Sequence, residues 1–284
     1  MTFLTFLRRL ASAIKGAVLI FKHGGVCTAS IVTSSYSNML EGKSVLVTGG
    51  SSGIGFAIAC KCINAGATVV ITGRNEIKLR EAVESINSPK CQYLVWDISK
   101  VKDCHKQINK CKELMGGEID VLVNNAGVAP SKFFGDIDEL EWDRIYDTNL
   151  KGNYFLTQEI VKQWRCLQYS GYKKILNISS QGGFVGATYP YRMTKWDVRG
   201  LTEGLGKLLV EDKIIVNGIA PGVVKTSMQK FSLLQGKNIY TSQNPIRRVC
   251  LPEEIAELAL FLISDVSNFI IGQTIVCDGG FILK

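Results

Sequence analysis

The sequence predicts an α/β protein built on one doubly wound parallel sheet. Three observations carry that prediction. From about residue 43 onward, short apolar runs of strand length alternate with longer amphipathic stretches of helix length, as βαβ units require. A glycine-rich stretch, Thr48–Gly49–Gly50–Ser51–Ser52–Gly53–Ile54–Gly55, stands between the first strand and the first helix. Glycine is frequent, at 28 of 284 residues, and proline scarce, at 6, which suits many tight strand–helix turns and excludes a collagen-like or disordered chain.

Residues 1–40 read as an extension and 41–284 as a single domain, with no internal repeat and no second domain. In the extension, Phe3, Phe6, Leu7, Leu10, Ile14, Ala17, Val18 and Phe21 recur at helical spacing. Arg8, Arg9 and Lys15 lie largely off that stripe; with Lys22 and no acidic residue they supply half of the formal charge of +8. A basic amphipathic helix suits the surface of an anionic membrane. The alternative is packing on its own domain or on a neighbouring subunit. No stretch reaches the roughly 18 apolar residues of a spanning helix, and the recurring charges do not resemble a cleaved signal peptide. Residues 24–40, rich in Ser, Thr and Gly, read as a linker.

Strands are predicted at Ser44–Val47, Thr68–Ile71, Gln92–Val95, Val121–Val123, Lys174–Ile178, Ile214–Ile219 and Thr274–Cys277. Helices are predicted at Ala57–Asn64, Glu76–Ile86, Val101–Met115, Glu139–Leu167 (in one piece or two), around Tyr191 to Leu209, and at Pro252–Leu262. Residues 227–244 contain Phe231, Leu233, Leu234, Ile239 and Tyr240 and read either as an apolar lid or as a surface excursion.

The glycine stretch sits where a dinucleotide fingerprint must sit, after a strand and opening a helix. Gly49 allows the tight turn, Gly53 a close backbone approach to a pyrophosphate, and Gly55 close helix–sheet packing. The free N–H groups and positive dipole end of that helix favour phosphate. Gly49, Ser51, Ser52, Gly53, Ile54 and Gly55 are therefore candidate cofactor contacts. At the end of the second strand no acidic residue is present to hold ribose hydroxyls. Arg74 stands there instead and offers a guanidinium to a 2′-phosphate, which favours NADP(H) over NAD(H). Asp97, with Ile98 beside it, ends the third strand, where it either meets the adenine or caps its own turn.

Tyr191 and Lys195 are four residues apart, one turn of a helix, with Pro190 at its start. A fixed ammonium beside a phenol favours phenolate and is expected to lower the tyrosine pKa from about 10 toward neutrality. Such a pair suits proton exchange with an oxygen. The nine cysteines form neither a CxxC motif nor a disulfide framework, which argues for reduced thiols and a cytoplasmic setting. Only two histidines are present, so no metal site is expected. Basic residues are not interleaved with aromatics, so no nucleic-acid partner is expected either.

These motifs occur together and in order. Thr48–Gly55, Asp97, Asn124–Asn125–Ala126–Gly127, Asn149, Ser180, Tyr191–Lys195 and Pro221–Gly222 resemble the short-chain dehydrogenase/reductase family, in its shorter single-domain branch with a Rossmann fold. The resemblance covers about residues 41–282. It implies that Tyr191 is the acid/base, that Lys195 lowers its pKa and binds the nicotinamide ribose, and that Ser180 binds the substrate carbonyl. It also implies that Asn149 holds a water in a proton relay, that Asn125, Ala126 and Gly127 line the cofactor, and that Pro221, Gly222, Val224 and Thr226 fix the carboxamide. The family pattern Ser-x-x-Gly selects Ser180 over Ser179, which points the other way along an extended strand. Tyr189 precedes a proline and is off the Lys195 face, which leaves Tyr191. Ser180 and Tyr191 are eleven residues apart, two fewer than is usual in the family, so the loop Gly182–Thr188 must be tight, and Gly182, Gly183 and Gly186 are expected to permit it.

The reaction implied is hydride transfer between NADP(H) and a ketone/secondary alcohol pair, with a 3-oxoacyl group as one candidate substrate. The alternative is a non-catalytic NADP(H)-binding sensor or scaffold. A homodimer or homotetramer is implied by the same resemblance.

Overall fold

The computed structural model describes residues 38–226 and 239–283, together with Leu7, Leu10, Ala11, Ile14, Lys15, Val18 and Lys22, which are helical and exposed. The remainder of the predicted N-terminal stripe, and residues 227–238 of the predicted lid, lie outside the described residues.

The chain alternates strand and helix in the expected order: β1 (Ser44–Thr48), α1 (Gly53–Asn64), β2 (Thr68–Gly73), α2 (Glu76–Ile86), β3 (Cys91–Val95) and α3 (Cys104–Met115). There follow β4 (Val121–Asn124), α4 (Glu139–Tyr146), a π-helical turn (Asp147–Gly152), α5 (Asn153–Arg165), β5 (Lys173–Ile178) and α6 (Pro190–Leu209). The series ends with β6 (Ile214–Pro221), α7 (Pro252–Ile263) and β7 (Thr274–Cys277). All neighbouring strands pair in parallel, in the order β3-β2-β1-β4-β5-β6-β7. Strand order reverses between β1 and β4, which places a ligand crevice at the carboxyl ends of the central strands.

Pleating divides the apolar residues between two cores. Val45 and Val47 of β1, Val69 and Ile71 of β2 and Val121 and Val123 of β4 face one side, where Ile58, Leu79, Ile255 and Leu260 cover them. Leu46, Val70 and Leu122 face the other, against Ile108, Leu156, Ile160 and Trp164. A sheet buried on both faces needs apolar residues at successive positions, which explains the unbroken runs seen in the sequence. Each such side chain contributes about 1.5–3 kcal/mol when fully buried. Leu40, at the end of the extension, is 1% exposed and belongs to the first of these cores.

Local signals set the helix ends. The Asn75 side chain accepts the Lys78 N–H at 3.0 Å at the start of α2, and Asn87, with φ +50°, closes that helix. Pro190 occupies the first turn of α6, where its missing N–H costs nothing. The long helix expected at 139–167 is not continuous. The π-helical turn inserts an extra residue between α4 and α5 and carries Asn149 at its centre.

Candidate active site

A cleft of about 640 Å³ opens at the ends of β1 to β4. Its walls bring together Gly49, Ser51, Ser52, Gly53, Ile54, Arg74, Asp97, Ile98, Asn125, Ala126, Gly127 and Thr226. These are most of the residues predicted to hold a cofactor. Gly55 lies beneath the turn instead of on its surface, since a Cβ there would come within 2.4 Å of the Asn125 side chain.

The turn after β1 needs glycine for reasons visible in its backbone. Gly49 has φ +65°, and a Cβ on it would lie 2.9 Å from the Ala126 Cα. The Asn125 amide locks the turn from the other side by donating to the carbonyls of Thr48 at 2.9 Å and Gly49 at 3.0 Å. Thr48 completes the lock: its buried hydroxyl accepts the N–H groups of Asn125 and Ala126, both at 3.0 Å. The Ser52 side chain makes no capping bond to α1, and the first turn of that helix carries no acidic residue. Its leading N–H groups are thus left for an anion, and the glycine surface leaves room for one. A dinucleotide pyrophosphate fits this donor set.

Arg74 is exposed at the cleft wall, with Lys78 one helical turn further on. Among the described residues no ion pair engages either cation. Asp97 caps its own turn, accepting the Ser99 N–H at 3.1 Å and the Ser99 hydroxyl at 2.8 Å. It does so within the cleft wall.

The second group of predicted residues lies beyond this cleft, on β5, α6 and the segment after β6. Ser180 caps a short turn, where its hydroxyl accepts the Gly182 N–H at 3.0 Å. It also lies near enough to Tyr191 to favour the phenolate and oppose the rise of that pKa. Ser179 points the opposite way, as expected, and donates to the Lys195 carbonyl at 2.7 Å. Lys195 is buried; its Nζ donates to the Ile178 carbonyl at 2.8 Å and lies 5.7 Å from the centre of the Tyr191 ring. Tyr189 packs edge-on to Phe133, with ring centroids 5.2 Å apart.

One expectation reverses here. Burial raises the Tyr191 pKa above its ordinary value, and Ser180 only partly opposes it. Burial also lowers the Lys195 pKa to about 8. A desolvated ammonium is itself costly, so the lysine keeps its charge only below about that pH.

Asn149 is fully buried, and both ends of its side chain are engaged by one residue. Its Oδ1 accepts the Val128 N–H at 2.7 Å and its Nδ2 donates to the Val128 carbonyl at 3.1 Å. Its own carbonyl accepts from the Asn153 amide at 2.8 Å. The side chain is therefore a clamp on the loop that follows β4. Of the loop glycines, Gly183 is required, because a Cβ there would come within 2.6 Å of the Lys195 carbonyl; Gly186 meets nothing within 4 Å.

The segment after β6 adjoins both groups. The Gly222 N–H donates to the Cys277 carbonyl at 2.9 Å, and Val224 bridges to Cys250. Thr226 reaches back to the glycine turn, where its methyl would meet a Cβ on Gly53 at 2.9 Å. Sequence reasoning missed Thr48, Lys78, Trp96, Arg144 and Thr148, of which all but Thr48 line the cleft. Lys78 was accessible from its spacing to Arg74, whereas Arg144 arrives from a distant helix and leaves no local signal.

Comparison with known proteins gives a consistent result. A family model described as enoyl-(acyl carrier protein) reductase matches residues 49–282. The chain is 35% identical over 246 residues to the 3-oxoacyl-[acyl-carrier-protein] reductase FabG of Aquifex aeolicus, covering 85% of this chain and 98% of that protein. It is 32% identical over 255 residues to dehydrogenase/reductase SDR family member 4 of Bos taurus, covering 86% and 88%. Among solved structures, a 3-ketoacyl-(acyl-carrier-protein) reductase from Brucella melitensis complexed with NADH superposes with a TM-score of 0.77 at 28% identity, covering 85% of this chain and 99% of that one. A putative gluconate dehydrogenase from Agrobacterium tumefaciens does so with 0.78 at 27%, covering 89% and 100%.

Proposed function

The chain belongs to the short-chain dehydrogenase/reductase family, and from that premise we propose that it is an NADP(H)-dependent reductase of ketones, with 3-oxoacyl thioesters as the favoured substrate class. The observation that carries the reading is the pairing of the Ser180 and Tyr191 hydroxyls above a buried Lys195. Two neighbouring hydroxyl donors can converge on one substrate oxygen, which is what protonation of a carbonyl requires.

When bound, the nicotinamide supplies or removes the hydride. The protein's own groups do the rest. The uncapped end of α1 and the glycine turn hold the pyrophosphate, and Asn125, Ala126 and Gly127 line the cofactor. Arg74 and Lys78 offer cations where no carboxylate stands to bind ribose hydroxyls, which supports NADP(H) over NAD(H). Pro221, Gly222, Val224 and Thr226 form the wall for the carboxamide. Tyr191 gives its proton to the developing alkoxide while Ser180 steadies that oxygen. Because burial raises its pKa, Tyr191 keeps its proton through neutral pH. A protonated phenol is ready to donate, which favours reduction over alcohol oxidation. The Asn149 clamp holds Val128 and with it the floor of the cleft, and a water relay past its backbone to Lys195 is part of the same reading. The 3-oxoacyl class rests on the names of the acyl-carrier-protein reductases to which the chain is similar.

The test is cofactor oxidation, followed by absorbance, against 3-oxoacyl thioesters, cyclic ketones, sugars and quinones, each with NADPH and NADH. Turnover of 3-oxoacyl thioesters with NADPH is expected. A preference for NADH overturns the Arg74 argument alone. Tight NADPH binding with no turnover of any carbonyl favours the sensor or scaffold instead.

Two partner readings extend the proposal. Tyr154 and Phe155 of α5 and Trp196 of α6 are exposed beside a groove of about 810 Å³, which suits a second copy of the chain. Leu7, Leu10, Ile14 and Val18 are exposed on one helical stripe in a segment with four basic residues and no acid, which suits an anionic membrane surface. Sedimentation checks both. The full chain alone should exceed monomer mass, and it should cosediment with phosphatidylserine vesicles only while residues 1–40 are present.

A further inference from the structure

Cys250 and Cys277 flank one short segment of the chain. Both are partly buried, and both line a cavity of about 390 Å³ with Arg248 and Glu254. They come from distant parts of the chain, but both pair with the same short segment. Cys277 ends β7 opposite Pro221 and accepts the Gly222 N–H at 2.9 Å through its carbonyl. The Cys250 N–H donates to the Val223 carbonyl at 2.8 Å, and its own carbonyl accepts the Lys225 N–H at 2.9 Å. The Cys250 thiol donates to the Leu251 carbonyl at 3.3 Å, and Cys250 and Cys277 influence each other's ionisation.

We propose that Cys250 and Cys277 form a modification site, a dithiol that a hydroperoxide closes to a disulfide, and that closure weakens cofactor binding by displacing residues 221–226. The second clause rests on the reading of that segment as the carboxamide wall.

The chemistry separates the roles of the two sulfurs. The influence of Cys250 lowers the Cys277 pKa, whereas burial raises those of Cys62, Cys91, Cys104 and Cys111. The thiolate is the attacking species, so Cys277 reacts first. Its sulfur attacks one peroxide oxygen, the O–O bond breaks, and the second oxygen leaves as water, giving a sulfenic acid. The Cys250 sulfur then attacks that sulfenic sulfur, the S–O bond breaks, and water leaves with the Cys250 proton. Two thiols lose two electrons, and one hydroperoxide is reduced. For hydrogen peroxide the products are one disulfide and two waters.

The structural consequence follows from what each backbone holds. A disulfide brings two sulfurs to about 2.05 Å, well inside a thiol–thiol contact. Residue 250 is bonded on both sides to Val223 and Lys225, and residue 277 to Gly222. Drawing the cysteines together therefore shifts the strip between Pro221 and Thr226, whose far end touches the glycine turn. The Arg248–Glu254 pair, at 2.6 Å, borders the cavity and limits how residue 250 can yield.

The experiment treats the full-length protein with hydrogen peroxide, maps disulfides by non-reducing peptide mass spectrometry, and measures NADPH affinity by fluorescence. A Cys250–Cys277 disulfide is expected as the main product, with NADPH affinity lowered at least about tenfold, a loss of about 1.4 kcal/mol, and restored by dithiothreitol. Cys250→Ser should form no such disulfide, should trap a sulfenic acid at Cys277 that dimedone labels, and should keep its NADPH affinity under peroxide. Circular dichroism confirms that this variant is folded. Oxidation confined to exposed Cys166 overturns the site. A mapped Cys250–Cys277 disulfide with unchanged affinity overturns its coupling to the cofactor. If the reduced protein does not bind NADPH at all, the cofactor reading fails while the disulfide map still decides the dithiol.

Discussion

At the proposed phosphate end, the groups offered to a ligand are backbone N–H groups on one continuous turn, Thr48–Gly55, fixed by Asn125 and Thr48. At the proposed catalytic end they are side chains from just after β5 and from α6: Ser180, Tyr191 and Lys195. The first end depends on what the backbone can do where a Cβ is missing. The second depends on where burial leaves a proton. A backbone site is therefore sensitive to small changes of volume and insensitive to pH, and a side-chain site is the reverse.

The largest effect that separates the two ends is Tyr191→Phe. The ring and its contact with Lys195 at 5.7 Å remain, and only the hydroxyl is lost. Turnover should fall at least about a hundredfold, the usual reach of a positioned general acid, while NADPH affinity stays unchanged. Single-turnover rates and fluorescence titration measure the two separately. Retained turnover would remove Tyr191 as the acid and leave the side-chain end without its proton donor.

The complementary substitution is Gly49→Ala. It places a methyl 2.9 Å from the Ala126 backbone at φ +65°. The strain is about 1–3 kcal/mol, so NADPH affinity should weaken about tenfold or more. Gly186→Ala is the control, because nothing lies within 4 Å of its Cβ position. Equal affinities for the two variants would mean that the turn tolerates a side chain and that the backbone account of this end is wrong.

What the sequence made legible follows the same division. The glycine turn, Arg74 and the Tyr191–Lys195 spacing are local, and strand ends such as Thr274–Cys277 coincide with apolar runs. That Ser179 and Ser180 point opposite ways was also legible, because alternation along an extended strand is local geometry. The π-helical turn was not. Its six residues, Asp147–Gly152, carry no local signal for an extra residue, and the turn sets Asn149 against Val128, some twenty positions earlier in the chain. Two lysines, Lys173 and Lys174, are buried in β5, where a double-sided sheet calls for apolar residues; their partners, Asp120 and Asn268, come from distant segments. The direction of the Tyr191 pKa was misread for the same reason. Spacing reports that an ammonium is near, but only the assembled core reports that Lys195 is buried and Tyr191 half-buried beside it.

That misreading supplies the subtlest test, because it concerns a proton and no change of structure. Burial lowers the Lys195 pKa to about 8. Below that pH the side chain is charged and holds both the Ile178 carbonyl and, in the proposed reading, the nicotinamide ribose. Above it the charge is lost. Because kcat/KM reports groups of the free enzyme, its value for NADPH should show an alkaline limb centred near pH 8, falling about twofold at the midpoint and about tenfold per unit beyond. Tyr191 pulls the other way in sequence: its raised pKa keeps the phenol protonated across this range, so it adds no limb below that of Lys195. Gly49→Ala should lower the whole profile without moving the limb, since no titrating group is touched. A limb that moves with Gly49→Ala, or one centred near the ordinary lysine value of about 10.4, would mean that the two ends are not built on separate principles. In that case the glycine turn itself would be setting the electrostatics around Lys195.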